Sequence, residues 1–82
     1  DKSKVFHALS ELIRIKILNA LSIRPLCVCV LTEITKMKYS KLSYHLSILK
    51  ENNLVNCRED GNWIIYSITN YGKKVIKLLQ VL

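Results

Sequence analysis

Apolar and polar positions along this chain fall into five helical rhythms and one pair of strand-like runs. The clearest rhythm is 39–53, where Leu42, Leu46 and Leu49 recur at i, i+4 and i+7, the core stripe of an amphipathic helix. A short apolar helix is predicted over Lys2–Leu9, with Val5, Phe6 and Leu9 on one side. Ser10 is placed to cap a second helix, and Glu11 suits its N-terminus. Leu12, Ile15, Leu18 and Leu21, with Ile17, give that helix its stripe to about Ser22, and Arg24-Pro25 ends it. A third helix is expected from about Val28 to Thr35. Asn52-Asn53 close the fourth, since asparagine tolerates the left-handed conformation of a C-cap. Leu54–Arg58 and Trp63–Ile68, rich in β-branched and aromatic residues, read as strands around the turn Glu59-Asp60-Gly61-Asn62. Thr69 or Asn70 can cap a last helix with the stripe Val75, Leu78, Leu79 and Leu82, which Ile76 and Val81 widen beyond what one core needs.

The predicted order is α-α-α-α-β-β-α, mainly helical with a β-hairpin (α+β), in one domain spanning 1–82. Two short helices before a polar-faced helix make a helix-turn-helix, and a hairpin directly after it is a wing. The outer face of the fourth helix supports this. Ser40, Ser43, Tyr44 and Ser47 fall opposite the leucines, with Lys41 on the flank and almost no acid. Such a face suits a DNA major groove better than bulk solvent. The set expected at double-stranded DNA is Lys38, Tyr39, Ser40, Lys41, Ser43, Tyr44 and His45, with Arg58 and Asn62 from the wing. Arg58 has a second reading, a strand-edge arginine paired with Glu59 or Asp60. Trp63 and Tyr66 are expected in the hairpin core, and Tyr71 is expected to cap or pack the last helix.

Composition agrees with a basic folded surface. Net charge is +7, and the cations are spread along the chain rather than gathered in a tail. Half of the residues are hydrophobic, a high share for 82 residues, which points to a second copy covering some of them. No apolar run approaches the roughly 18–20 residues of a membrane span, and no signal-peptide pattern opens the chain. Three cysteines in a Cys-poor domain argue against a disulfide framework and for a reducing cytoplasm. The chain opens on Asp1 without an initiator Met, so further residues in front are allowed for. With only two glycines, no acid–base pair and no nucleophile triad, an enzyme is not expected.

Several segments, taken in order, resemble the arsenic-repressor (ArsR/SmtB) family of winged helix-turn-helix, metal-sensing transcriptional repressors. Leu9 to Leu18 is similar to the family's opening helix, and Leu26-Cys27-Val28-Cys29 to its metal box. Ser43-Tyr44-His45-Leu46, with Leu49 and Leu54-Val55, is similar to the reader helix and its exit. Arg58, Gly61 and Tyr66-Ser67-Ile68 are similar to the wing. The likeness runs over about residues 5–70. It departs from the family at Leu12, Ile13, Pro25, Val30, Tyr44 and Asn62. The resemblance implies a homodimer built by the first and last helices. It also implies repression of a metal- or metalloid-resistance operon, relieved when the ion binds.

Cys27 and Cys29 are the candidate metal ligands. On a regular helix, side chains two apart diverge by about 160° and cannot share one ion. They can if Cys27 lies in extended chain after Pro25 and Cys29 at the helix start. A helix N-terminus favours thiolate, and two soft sulfurs select thiophilic ions: As(III), Sb(III), Cd(II), Pb(II), Zn(II), Hg(II) or Cu(I). No organic cofactor is expected. Two ligands are fewer than the usual three or four, and Cys57 reads as a buried structural cysteine. The C-terminal helix has no His or acid from Lys73 to Leu82, so no metal site is expected there. Cys27 and Cys29 have two other readings, a redox-reactive thiol pair and inert packing in the apolar run from Leu26 to Leu31. The corresponding functions are a thiol redox-responsive regulator, a winged-helix DNA-binding protein with no effector, and a protein–protein adaptor.

Overall fold

The computed structural model describes residues 2–82. Its elements are α1 (Lys2–Ala8), α2 (Leu12–Ile23), β1 (Leu26–Cys27), α3 (Val28–Thr35), α4 (Tyr39–Glu51), β2 (Val55–Asp60), β3 (Trp63–Ile68) and α5 (Asn70–Val81). The predicted winged helix-turn-helix is present, with one element more than expected. The residues after Pro25 form a short strand that pairs antiparallel with the wing, Leu26 opposite Tyr66 and Cys27 opposite Ile65. The sheet therefore has three strands in the order β1-β3-β2. Two residues of strand are too few to leave a pattern of their own.

The core gathers Ile17, Leu18 and Leu21 from α2, Leu31 from α3, and Leu42, Leu46 and Leu49 from α4. Leu54, Val55 and Ile76 close it from the wing root and α5. The α4 stripe is buried as its spacing required. The α2 stripe is not the one expected, because Leu12 is 84% exposed. The buried face is Arg14, Ile17, Leu18 and Leu21, an i, i+3, i+4, i+7 series that begins on a cation.

Local chemistry sets the joints. Ser10 does not cap α2: its hydroxyl donates to the His7 carbonyl at 2.6 Å, closing the end of α1. The N-cap of α2 is Glu11, with no side-chain cap bond. Asn53 takes the left-handed conformation, φ 61°, at the exit from α4. Thr69 caps α5 by accepting from Gly72 N at 2.8 Å and donates to the Asn53 carbonyl at 2.7 Å, so the last helix is tied to the end of the fourth. A Cβ on Gly72 would run into the Leu54 carbonyl and come within 2.7 Å of Ile68, so only glycine lets α5 sit this close.

The hairpin turns tightly. Asp60 faces Trp63, which leaves Gly61 and Asn62 as a two-residue loop, and Gly61 has φ +62°. Only the root of the wing meets the core, where Val55 is buried. The tip stands clear of the body, so Trp63 is 57% exposed rather than in a hairpin core, while Tyr66, nearer the root, is half-buried. Along α1 and α5, Val5, Phe6 and Leu9 face Val75, Leu78, Leu79 and Leu82 across an apolar groove of about 160 Å³. Tyr71 lines this groove on the exposed side of α5, so it packs beside α1 and is not the cap.

Candidate functional site

Helix α4 presents two faces, as its sequence required. Leu42, His45, Leu46 and Leu49 point inward; Lys38, Tyr39, Ser40, Lys41, Tyr44 and Ser47 are exposed, and Ser43 is half-buried. The outward surface is a band of hydroxyls, two phenols and two ammonium groups, with no carboxylate before Glu51. Its flank continues into the wing, where Arg58 and Asn62 are exposed. Arg58 sits 3.5 Å from Asp60, the strand-edge pairing of its second reading. Both partners are well exposed, so that contact contributes little and can be exchanged for a phosphate.

His45 is a correction. It was expected at the bases, but it is 3% exposed and its Nδ1 accepts from Arg14 Nε at 3.0 Å. An imidazole inside the core cannot reach a groove. Burial, first, and the neighbouring Arg14 cation, second, hold its pKa below the usual histidine value. Arg14, which no sequence argument singled out, is itself 1% exposed. The available signal is its place at the head of an apolar i, i+3, i+4, i+7 series.

The thiol pair lies where α3 begins. Cys27 ends β1 in extended backbone (φ −66°, ψ 148°) and is the N-cap of α3; Cys29 is in the first turn. This is the geometry that lets two cysteines at this spacing converge. Cys27 Sγ accepts from Cys29 N at 3.2 Å. A hydrogen bond from the Cys29 thiol lowers the Cys27 pKa, helped by the backbone N–H groups of Cys29 and Val30. The same contact raises that of Cys29. The sulfur at the N-cap, Cys27, is thus the one that loses its proton more readily than an ordinary thiol, and Cys29 the one that keeps it.

The pair opens onto a cleft of about 390 Å³ whose walls come from three elements. Val28 and Thr32 belong to α3, Tyr39 starts α4, and Asn62, Trp63 and Ile64 belong to the wing. Cys29 is exposed and Cys27 half-buried, so both sulfurs are reachable. Among the described residues no group of three or more His, Cys, Asp or Glu is placed to hold an ion. The pair fits a thiophilic ion as two of its ligands. Cys57 does not join it. It lies on β2, across β3 from β1, opposite Tyr66. It is half-buried rather than buried, and Lys50 Nζ donates to its sulfur at 3.3 Å. Tyr66 is pushed up to about 12 by burial and then by Cys57.

Among the described residues no helix is long and apolar enough to cross a membrane. Comparison with known proteins gives one family. The sequence profile described as "Bacterial regulatory protein, arsR family" matches residues 13–56, more than half of the chain. The chain is 42% identical over 66 residues to the arsenical resistance operon repressor of Bacillus subtilis, covering 79% of this chain and 63% of that protein. It is 38% identical over 69 residues to a cadmium resistance transcriptional regulatory protein CadC homolog of Staphylococcus aureus, covering 83% of this chain and 57% of that protein. The chain thus spans roughly three-fifths of the length of these two relatives. Among solved structures, it superposes on the homodimeric winged helix-turn-helix DNA-binding domain of a possible ArsR-family regulator from Mycobacterium bovis. The TM-score is 0.88 and the identity 29%, over 96% of this chain and 74% of that one. The chain belongs to the arsR family of regulatory proteins.

Proposed function

We propose that this protein is a homodimeric, DNA-binding transcriptional repressor that leaves its operator when a thiophilic metal or metalloid ion binds Cys27 and Cys29. The observation that carries the reading is the seat of the thiol pair. Cys27 belongs to a strand paired with the wing, Cys29 to the helix that supports the reader helix, and the cleft before them is walled by Tyr39 and Trp63. Both DNA-facing elements meet at the sulfurs. The names of the relatives, arsenical and cadmium resistance regulators, favour the same class of effector.

Lys38, Tyr39, Ser40, Lys41, Ser43 and Tyr44 would face the major groove, with the lysines at phosphates and the hydroxyls within reach of base edges. Arg58 and Asn62 would reach the backbone beside it. The apolar groove between α1 and α5 would be covered by a second copy, as in the homodimeric M. bovis domain. Two symmetry-related reader helices would then meet two half-sites about one helical turn apart.

An ion supplies Lewis-acid attraction for two thiolates, and the chain does the rest. Cys27 and Cys29 would hold the ion as thiolates, their protons released to solvent, Cys27 the more readily. To hold one ion, Cys27 Sγ would have to give up the Cys29 backbone N–H it now caps. Loss of that cap and a pull on β1 would disturb the first turn of α3 and the edge of the wing together. A preference of a few kcal/mol for the displaced form is enough to empty the operator. The remaining coordination positions fall to solvent or to a ligand from elsewhere.

Ultraviolet absorption tests the site. Adding arsenite or Cd(II) should raise a sulfur-to-metal charge-transfer band that disappears in Cys27→Ser and in Cys29→Ser. Absence of any band in the wild-type chain would remove the effector from the proposal. A redox reading is favoured by the lowered Cys27 pKa, since thiolate is the reactive form. It predicts that peroxide, as the oxidant, releases DNA where arsenite does not.

A further inference from the structure

Helix α1, which lines the apolar groove, and helix α4, which carries the outward polar band, meet at one buried guanidinium. Arg14 Nη1 donates to the carbonyls of His7 and Ala8 at 3.2 and 3.4 Å, the last carbonyls of α1. Its Nε donates to His45 Nδ1 at 3.0 Å, in the middle of α4, and its Nη2 to Glu11 at 2.9 Å. Arginine has no acceptor, so His45 must be the neutral tautomer with its proton on Nε2. The guanidinium carbon also lies 5.8 Å from the centre of the Tyr44 ring, which meets the His45 ring edge-on. Tyr44 is one of the exposed residues of the reader face.

Helix α1 has seven residues and a single buried side chain, Ala8, so apolar packing holds it weakly. Its last two carbonyls, that of Ala8 and that of His7, which Ser10 also meets, are tied to α2 by Arg14. We propose that Arg14 is a positioning residue through which dimerisation sets the stance of the reader helix. The proposal rests on the dimeric, DNA-binding reading above. With α1 clamped against a second copy, the carbonyls of His7 and Ala8 hold the guanidinium. The guanidinium in turn fixes His45 and the adjoining Tyr44. With α1 free to shift, Arg14 loses acceptors on one side and His45 its fixed donor on the other. A buried polar network of this kind is either made or broken, which gives the two sites a shared two-state element.

The test uses four variants beside the wild-type chain. Leu78→Asp puts a charge into the groove at a residue exposed in the isolated chain, and should yield a folded monomer. Its His45 ring nitrogens and α4 amides, followed by ¹⁵N NMR, should shift or broaden although position 78 lies on α5. Arg14→Lys cannot reproduce the fork. It should move the His45 Nδ1 signal toward the protonated type and weaken binding to a duplex selected from a random library by roughly tenfold or more, as the share of correctly placed helices falls. His45→Leu should do the same to binding. His45→Asn, which keeps an acceptor near the Nδ1 position, should stay within roughly threefold of wild type. The dimer constant should change little in the two His45 variants, which leave the contacts of Arg14 with the α1 carbonyls in place. Unchanged α4 signals in the Leu78→Asp monomer would overturn the coupling. So would wild-type binding by Arg14→Lys and His45→Leu, or equal losses in His45→Asn and His45→Leu. A wild-type chain that stays monomeric or binds no selected duplex would instead sink the regulator reading itself.

Discussion

Two places support the reader helix, and they are built in opposite ways. On one side Arg14 and His45 form a buried polar contact with almost no access to water. On the other, Cys27 and Cys29 stand at an open cleft, and Cys27 Sγ holds a single backbone N–H. The first is costly to disturb, because each group removed leaves another unpartnered inside the core. The second is cheap to disturb, because solvent can replace what is lost. A sensor of the kind proposed would need both. The fixed support would define the binding-competent stance, and the open one could be altered by chemistry from outside without unfolding the chain.

The largest expected effect falls on the fixed side. Arg14→Ala removes a donor from each of two α1 carbonyls and the donor to His45 Nδ1, and should lower unfolding free energy by about 3 kcal/mol, read by urea denaturation. A loss below about 1 kcal/mol would erase the contrast between the two supports. A smaller effect comes from pH. The folded His45 binds its proton less readily than an unfolded histidine, because of burial and then the Arg14 cation, with Lys41 adding to the effect and Glu11 opposing it. The stability this confers is therefore fully present above the unfolded value of about 6.5 and is lost as pH falls through it toward the depressed folded value. Thermal melts at pH 7.5 and 5.5 should show this loss in the wild type and a smaller one in His45→Asn.

On the DNA side, Lys41→Ala should weaken binding to all duplexes and reduce the slope of log affinity against log salt by about 1, measured by anisotropy titrations at several salt concentrations. A change in base preference instead would make Lys41 a reader rather than a phosphate contact. The smallest effect on stability should come from the open side. Cys29→Ser, at an exposed position, should shift unfolding by no more than about 0.5 kcal/mol while abolishing the response to arsenite. A large destabilisation would mean that the pair is packing after all.

What could be read from the sequence followed the strength of local periodicity. The α4 leucines, the α3 boundaries and the hairpin with Gly61 at its turn were legible because each rests on residues close in the chain. The extended conformation at Cys27 was also legible, since the spacing to Cys29 demands it if the sulfurs are to meet. The β1–β3 pairing was not, because two residues finding a partner 40 positions on is a tertiary event. The exposure of Leu12 and the burial of Arg14 were missed together. An arginine is rarely buried without partners, and those partners, His45 on α4 and two carbonyls of α1, become visible only when the helices are packed. The same packing takes His45 off the outer face of α4 and leaves Ser40, Lys41 and Tyr44 exposed on it.

The central claim is that chemistry at the sulfurs is felt at the bases. The direct measurement is fluorescence anisotropy of a labelled operator duplex, held by the wild-type protein and by the Cys27→Ser/Cys29→Ser double variant, as arsenite or Cd(II) is added. The account predicts equal starting affinity, release from the wild type and no release from the double variant. Release from both proteins, or from neither with either ion, would contradict it.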